Sequence, residues 1–177
     1  MLDNSPLQLE QDQLVAQRDG LSIKSVLGDM RDLSVFESES FDLVFNPCSL
    51  SFVPNVQSVF AEAYRVLRSE GLLLCGFVNP ARFIFDEKQL EEGRLHARHP
   101  LPYSDETHLT SIEKNQLKSD GEPFTFSHSL EGLITGQLKA GFVLRDLFED
   151  ISAEDPVSDF FPAYFATLAM KPGMKTN

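Results

Sequence analysis

FDLVFNPCSLSFVPNVQSVFAEAYRVLRSEGLLLCGFV, residues 41–78, decides the fold. It opens on a near-continuous apolar run, FDLVFNP, stopped at Pro47, the pattern of a strand buried on both faces as in a parallel sheet. From Pro54 the period changes. Val56, Val59, Phe60, Ala63 and Leu67 recur at helical spacing, and Gly71 is the expected stop. GLLLCGFV then reads as a second strand buried on both faces. Strand, helix, strand of these lengths predicts a right-handed βαβ crossover.

Upstream, MLD reads as the tail of a strand. Ser5 and Pro6 are a helix start, and the helix runs to Gly20 with a thin apolar stripe of Leu7, Leu14 and Val15. SIKSVLGD follows as a short strand broken at Gly28-Asp29. Downstream, residues 81–126 lose any strong period and gather charge, three of the four His, and Pro100, Pro102 and Pro123. Phe83, Ile84, Phe85 and Leu101 still offer apolar surface, so this stretch is expected to be a lid or insertion rather than a linker. Ser129 then caps a helix carrying Leu130, Leu133, Ile134 and Leu138, ended by Gly141. FVLRDLFED and FFPAYFATLAMKP close the chain as two strands with no helix between them. The whole is expected to be one α/β domain with an antiparallel strand at the C-terminal edge of its sheet.

Composition narrows the classes. The 177 residues, 42% hydrophobic with 15 Phe, suffice for a real core, and the net charge of −12 with no basic run makes nucleic acid a poor partner. The apolar runs at 72–78 and 161–170 fall short of the roughly 20 residues a membrane helix needs, and no signal peptide pattern opens the chain. No membrane association and a cytoplasmic location are expected. Cys48 and Cys75 read as two reduced, buried thiols.

The blocks LDNSPLQLEQDQLVAQRDGL, VLGDMRDLSVF, FDLVFNPCS, FAEAYRVLRSEGLLLCGF and SHSLEGLITGQLKAGF resemble, in order, those of class I S-adenosylmethionine-dependent methyltransferases. AYRVLRSEGLLLCGF is the most diagnostic, although Ser69-Glu70-Gly71 stands where the family carries Pro-Gly-Gly. The resemblance implies a Rossmann-like sheet of order 3-2-1-4-5-7-6, S-adenosylmethionine as cofactor and a small-molecule acceptor. It places Asp3, with Asn4 beside it, at the end of the family's second strand, where a carboxylate accepts both ribose hydroxyls. Asp29 and Met30 fall at the third strand's end, toward the adenine. Asn46 and Pro47 follow the fourth strand, where methyl and acceptor meet. Asn46-Pro47-Cys48-Ser49 is similar to the Asn-Pro-Pro-aromatic motif of amino-group methyltransferases, but Cys48 and Ser49 depart from it, and a simple strand-ending turn is the preferred reading.

One family element is absent. None of the ten glycines forms the G-x-G that brings backbone close to the cofactor's methionine portion. The resemblance therefore implies a sheet lacking its first strand and first helix, with a central gap that leaves backbone groups unpaired. Three outcomes are open: a truncated or misassigned start, closure of the second and fourth strands on each other, or a homodimer filling the missing central strand. A truncated start with dimerisation as rescue is the expectation. The alternative to an active transferase is a catalytically inactive methyltransferase-like interaction module.

Other candidates read as structural. Asp32 and Asp42 fit caps and loops. His96, His99, His108 and His128 show no metal-ligand spacing, and His128 is expected to be a surface or capping residue. Phe160, Phe161, Tyr164 and Phe165 are expected in the core. No catalytic residue is assigned.

Overall fold

The computed structural model describes residues 1–173. The short parallel strands β1 (Leu2–Asp3) and β2 (Val26–Leu27) are joined through helix α1 (Pro6–Arg18). Ser5 caps α1 by accepting the Gln8 amide, and Pro6 occupies its first turn. The remaining strands form a separate four-stranded sheet of order β3 (Phe41–Asn46), β4 (Leu67–Val78), β6 (Tyr164–Met170), β5 (Val143–Asp150). β3 and β4 are parallel and connected by α2 (Val56–Val66), the expected crossover. β6 runs antiparallel to both neighbours, so the antiparallel pairing lies at the C-terminal side of the sheet, with β6 second from the edge. Among the described residues no strand joins β1 to β3, and the sheet is divided where the expected order placed its gap.

α2 and α6 (Leu130–Ala140) cover one face of the four-stranded sheet. Leu73, Cys75 and Phe77 of β4, and Phe165 and Ala169 of β6, meet Val56, Val59, Phe60 and Ala63 of α2 and Leu133 of α6 in one core. Burying each such Leu, Val or Phe contributes roughly 1.5–3 kcal/mol. The helices approach closely at Gly136, where an added Cβ would lie 2.9 Å from the Phe60 ring. Within this apolar layer lies one polar pair: Thr167 Oγ1 donates to Gln137 Oε1 at 3.0 Å, and Gln137 Nε2 donates to the Leu133 carbonyl.

The opposite face corrects an expectation. β3 is not buried on both sides: Leu43 and Phe45 are more than half exposed while Val44 packs into the core. Only one face of the sheet has helices laid on it, so alternate side chains of β3 meet solvent. The crossover helix also ends earlier than Gly71 suggested. Leu67 is already the first residue of β4, and the chain turns through Glu70 at φ 64° before Gly71, whose missing side chain avoids the Arg68 carbonyl. Phe160, expected in the core, is largely exposed, since it follows a 3-10 turn and precedes β6; Phe165 is buried as expected.

Segment 81–126 contributes the short helices α3 (Glu87–Glu91), α4 (Asp105–His108) and α5 (Ser111–Asp120). It is anchored at its start by Arg82, which bonds Asp155 at 2.6 Å and Glu87. At its end the Phe126 amide donates to the Ser51 carbonyl.

Replacing Thr167 by Val keeps its shape and leaves Gln137 Oε1 buried without a donor. Urea unfolding is expected to show a loss of about 1–3 kcal/mol with an unchanged slope.

Candidate functional site

The residues singled out in the sequence collect at the carboxyl ends of β1, β2 and β3, where ligands bind in open α/β sheets. β1 ends on Asp3, whose Oδ1 accepts the Ser5 amide at 2.8 Å and whose carbonyl accepts the Gly28 amide at 3.0 Å. Gly28 is tight against Leu2: a Cβ there would lie 3.0 Å from Leu2 Cδ1. Asn4 is exposed beside it.

Asp29 is engaged by its own loop. Arg31 donates to both carboxylate oxygens, from Nε at 3.0 Å and Nη2 at 2.5 Å, and this partner holds the Asp29 carboxyl below the ordinary range. Met30 turns inward against the core, and its sulfur lies 3.6 Å from Asn46 Nδ2 at the end of β3. Asn46 Oδ1 accepts the Ser49 hydroxyl at 2.9 Å. The structure thus brings Met30 and Asn46 together and places Asp3 and Asp29 at neighbouring strand ends.

Two residues that the sequence reading passed over hold this loop. Glu62 and Arg65 lie on the outer side of α2. The Glu62 carboxylate accepts the Leu33 amide at 2.7 Å, while Arg65 donates to the carbonyls of Leu33 and Phe36 at 2.8 and 3.0 Å. Arg65 also pairs with Glu62 and pulls its carboxyl below the usual range. The i,i+3 acid-base spacing was visible in the sequence, but its loop partners were not.

Beyond Asn46 the chain crosses the end of β4. Cys48 adopts the left-handed conformation, φ 56°, and its amide donates to the Gly76 carbonyl at 3.1 Å. A side chain at Gly76 would meet the Cys48 amide and Sγ at 3.4 Å. Cys48, Ser51, Phe77, Phe83, Phe126 and His128 then line a cavity of about 10 Å³, room for one water.

Of the surface or capping role expected for His128, the capping one fits: the ring is half-buried, its Nε2 donates to the Leu50 carbonyl of the Ser49–Phe52 turn at 3.0 Å, and burial lowers its pKa. Cys48 is half-buried, not fully buried, and desolvation raises its thiol, as it does that of the buried Cys75. Both histidine and thiol are therefore held toward their neutral forms. Asp32 accepts the Ser34 amide in its loop, and Asp42, within β3, pairs with Arg68 in solvent.

The donor set fits part of a nucleoside-bearing cofactor. Asp3 offers a carboxylate for hydroxyls and Met30 an apolar, polarisable surface for a flat ring. Asp29 fits less well, because Arg31 already occupies both oxygens. No G-x-G is present in the sequence to meet the remainder of such a molecule. Among the described residues, no group of three or more His, Cys, Asp or Glu is arranged to hold a metal ion.

The family model described as a methyltransferase domain matches residues 1–75. The chain is 43% identical over 171 residues to the uncharacterized methyltransferase YbaJ of Bacillus subtilis (strain 168), covering 97% of this chain and 67% of that protein. Among solved structures, an S-adenosylmethionine-dependent methyltransferase from Mesorhizobium loti superposes with a TM-score of 0.66 at 14% identity, over 96% of this chain and 78% of that one. One from Methanosarcina mazei gives 0.63 at 19% identity, over 97% and 81%. These structures establish the shared Rossmann-like α/β fold.

Replacing Arg65 by Met removes the hydrogen bonds to the Leu33 and Phe36 carbonyls and leaves the loop after Met30 with the single Glu62 bond. Hydrogen-deuterium exchange is expected to quicken about tenfold or more at residues 33–36 while the α6 amides stay protected.

Proposed function

We propose, on the premise that this chain belongs to the class I S-adenosylmethionine-dependent methyltransferases, that it transfers a methyl group to a small, largely apolar acceptor seated beneath segment 81–126. The observation that carries this reading is the position of the Asn46–Ser49 loop. On one side Asn46 touches the Met30 sulfur; on the other Cys48 lines the cavity. A donor lying across the strand ends would meet at this loop an acceptor admitted beside Cys48 by movement of segment 81–126, since the closed cavity holds only one water.

S-adenosylmethionine supplies an electrophilic methyl group when bound. Asp3, with Asn4 beside it, would hold its ribose, Met30 its adenine ring, with Asp29 at the ring's edge, and Asn46 and Pro47 the side nearest the acceptor. Positioning is then the chain's main contribution, since alignment of two reactants can account for several kcal/mol of barrier. Cys48 remains a neutral thiol and His128 a neutral imidazole near pH 7, so the cavity carries no fixed charge to hold an ionic acceptor. Segment 81–126 acts as the lid: Phe83 comes from its first turn and Phe126 from its last residue, and both face the cavity.

Two structural features favour the second reading, an inactive interaction module: the Asp29 carboxylate engaged by Arg31, and the free edge of β3 with Leu43 and Phe45 exposed. That edge is where a second copy would pair a strand to form a homodimer. The two free cysteines suit a reducing, cytoplasmic setting. No helix of the described residues is long and apolar enough to cross a membrane.

Titration calorimetry of S-adenosylhomocysteine into the chain is expected to show saturable heat, weakened about tenfold by Asp3→Ala. No heat at millimolar ligand would leave the module reading, which light scattering then tests as a concentration-dependent dimer.

A further inference from the structure

Inside the lid a group of rings stands apart from the strand-end site. Tyr103, 8% exposed, is flanked by two imidazoles: the His99 ring lies 4.5 Å from it, the His108 ring 5.2 Å, and the two histidines are 6.3 Å apart. On its other side Tyr103 stacks with Phe83 at 6.1 Å, and Phe83 is a wall of the cavity. The opposite wall is tied to the same residue. The Tyr103 hydroxyl donates to Asp105 Oδ1 at 2.5 Å, and Asp105 Oδ2 accepts the Thr125 amide and hydroxyl at 2.6 and 2.9 Å. The Tyr103 carbonyl accepts the Ser127 amide at 2.8 Å, between Phe126 and His128. Both sides of the cavity therefore hang on one tyrosine packed against two histidines.

We infer that the packing of His99 and His108 against Tyr103 is an acid-sensitive clasp on the cavity: the neutral His99 ring holds Tyr103 in place, and its protonation releases Phe83 and Phe126 together. The geometry gives the reason. An imidazolium at His99 would stand in a partly desolvated place beside the like charge of the Arg98 guanidinium. Asp86 and Glu113 face the same place, but both are already bonded to Arg98, at 2.7 and 2.6 Å. Asp105 is saturated by Tyr103 and Thr125. His96 lies nearer Asp86 and is exposed, and Lys114 is turned to the Glu106 carbonyl. His108 Nδ1 lies 3.2 Å from the Ser104 amide, 3.1 Å from the Ser104 carbonyl and 2.9 Å from Thr107 Oγ1, so its own turn can hold the ring in either tautomer.

Direction and window follow. Desolvation, then Arg98 and His108, lower the His99 pKa in the folded chain, so its contribution to closure is present above the ordinary histidine value and is lost as pH falls. The Glu113 carboxyl, pulled down to about 2 by Thr110 and Arg98, stays ionised throughout. Between about pH 7.5 and 5.5 the group whose change the clasp requires is His99, and His128 must be told apart from the clasp because it lines the cavity itself.

The consequence for acceptor access rests on the lid reading above; the clasp itself does not. Cys48 reports opening. In the full chain, its alkylation by iodoacetamide, quantified by peptide mass spectrometry and normalised at each pH to a free cysteine peptide, is expected to rise about threefold or more from about pH 7.5 to 5.5. The midpoint should coincide with the NMR titration of the His99 ring, and His99→Gln should abolish the rise. A flat wild-type profile, a midpoint away from His99, or a rise that survives His99→Gln and vanishes in His128→Gln would overturn the clasp. Should His99→Gln fail to fold by circular dichroism, the wild-type midpoint alone decides. S-adenosylhomocysteine titration at the same pH values separates the readings: opening without cofactor binding removes the transferase and keeps the clasp, and binding with a flat profile does the reverse.

Discussion

The hydrogen bond from the Cys48 amide to the Gly76 carbonyl sets the geometry on which the site depends. It joins the carboxyl end of β3 to β4 one step past their last ladder pair, Asn46 with Cys75. To make it, the backbone enters the left-handed region at Cys48, and at Gly76 the neighbouring strand passes so near that an added Cβ would touch Cys48 at 3.4 Å. The turn that results presents the Leu50 and Ser51 carbonyls upward, where they receive the His128 ring and the Phe126 amide. The returning end of segment 81–126 is therefore fixed by groups that the strand-end turn would otherwise leave unpaired.

The two halves of the site are built with different materials. Toward the β1 and β2 ends the contacts are ionic and lie near solvent: Arg31 with Asp29, Arg65 with Glu62. Toward the cavity they are aromatic and backbone bonds with little charge. This division matches the two chemistries the proposed reaction would bring together, a polar nucleoside and an apolar acceptor, and it places the boundary at Asn46.

Much of the α/β framework was legible because it rests on periodicity and caps: the crossover through α2, the Ser5 and Ser129 caps, Gly141 at the end of α6. What escaped depended on which surfaces meet. The apolar run of β3 reads the same whether one face or two are covered, and only the absence of a helix over Leu43 and Phe45 decides it. Leu67 fits the stripe of α2 and the first position of β4 equally well, and the pairing with Phe41 settles it as strand. Asn46 and Met30 were placed by resemblance, and their contact required a loop whose anchors, Glu62 and Arg65, sit 29 and 32 residues beyond Leu33. The surroundings of Tyr103 were illegible for the same reason, since Phe83, His99, Asp105 and Ser127 are scattered along a stretch with no period.

The Gln137–Thr167 bond also acts as a register pin. Along β6 the inward positions are Phe165, Thr167 and Ala169, so a slip by one residue would turn Ala166 and Leu168 toward the helices and leave the amide facing hydrocarbon. Apolar neighbours tolerate approximate alignment; a lone amide in dry surroundings does not. A single polar pair thus makes incorrect alignments of the antiparallel strand costly during folding, and gives specificity to a layer otherwise held by interchangeable apolar contacts.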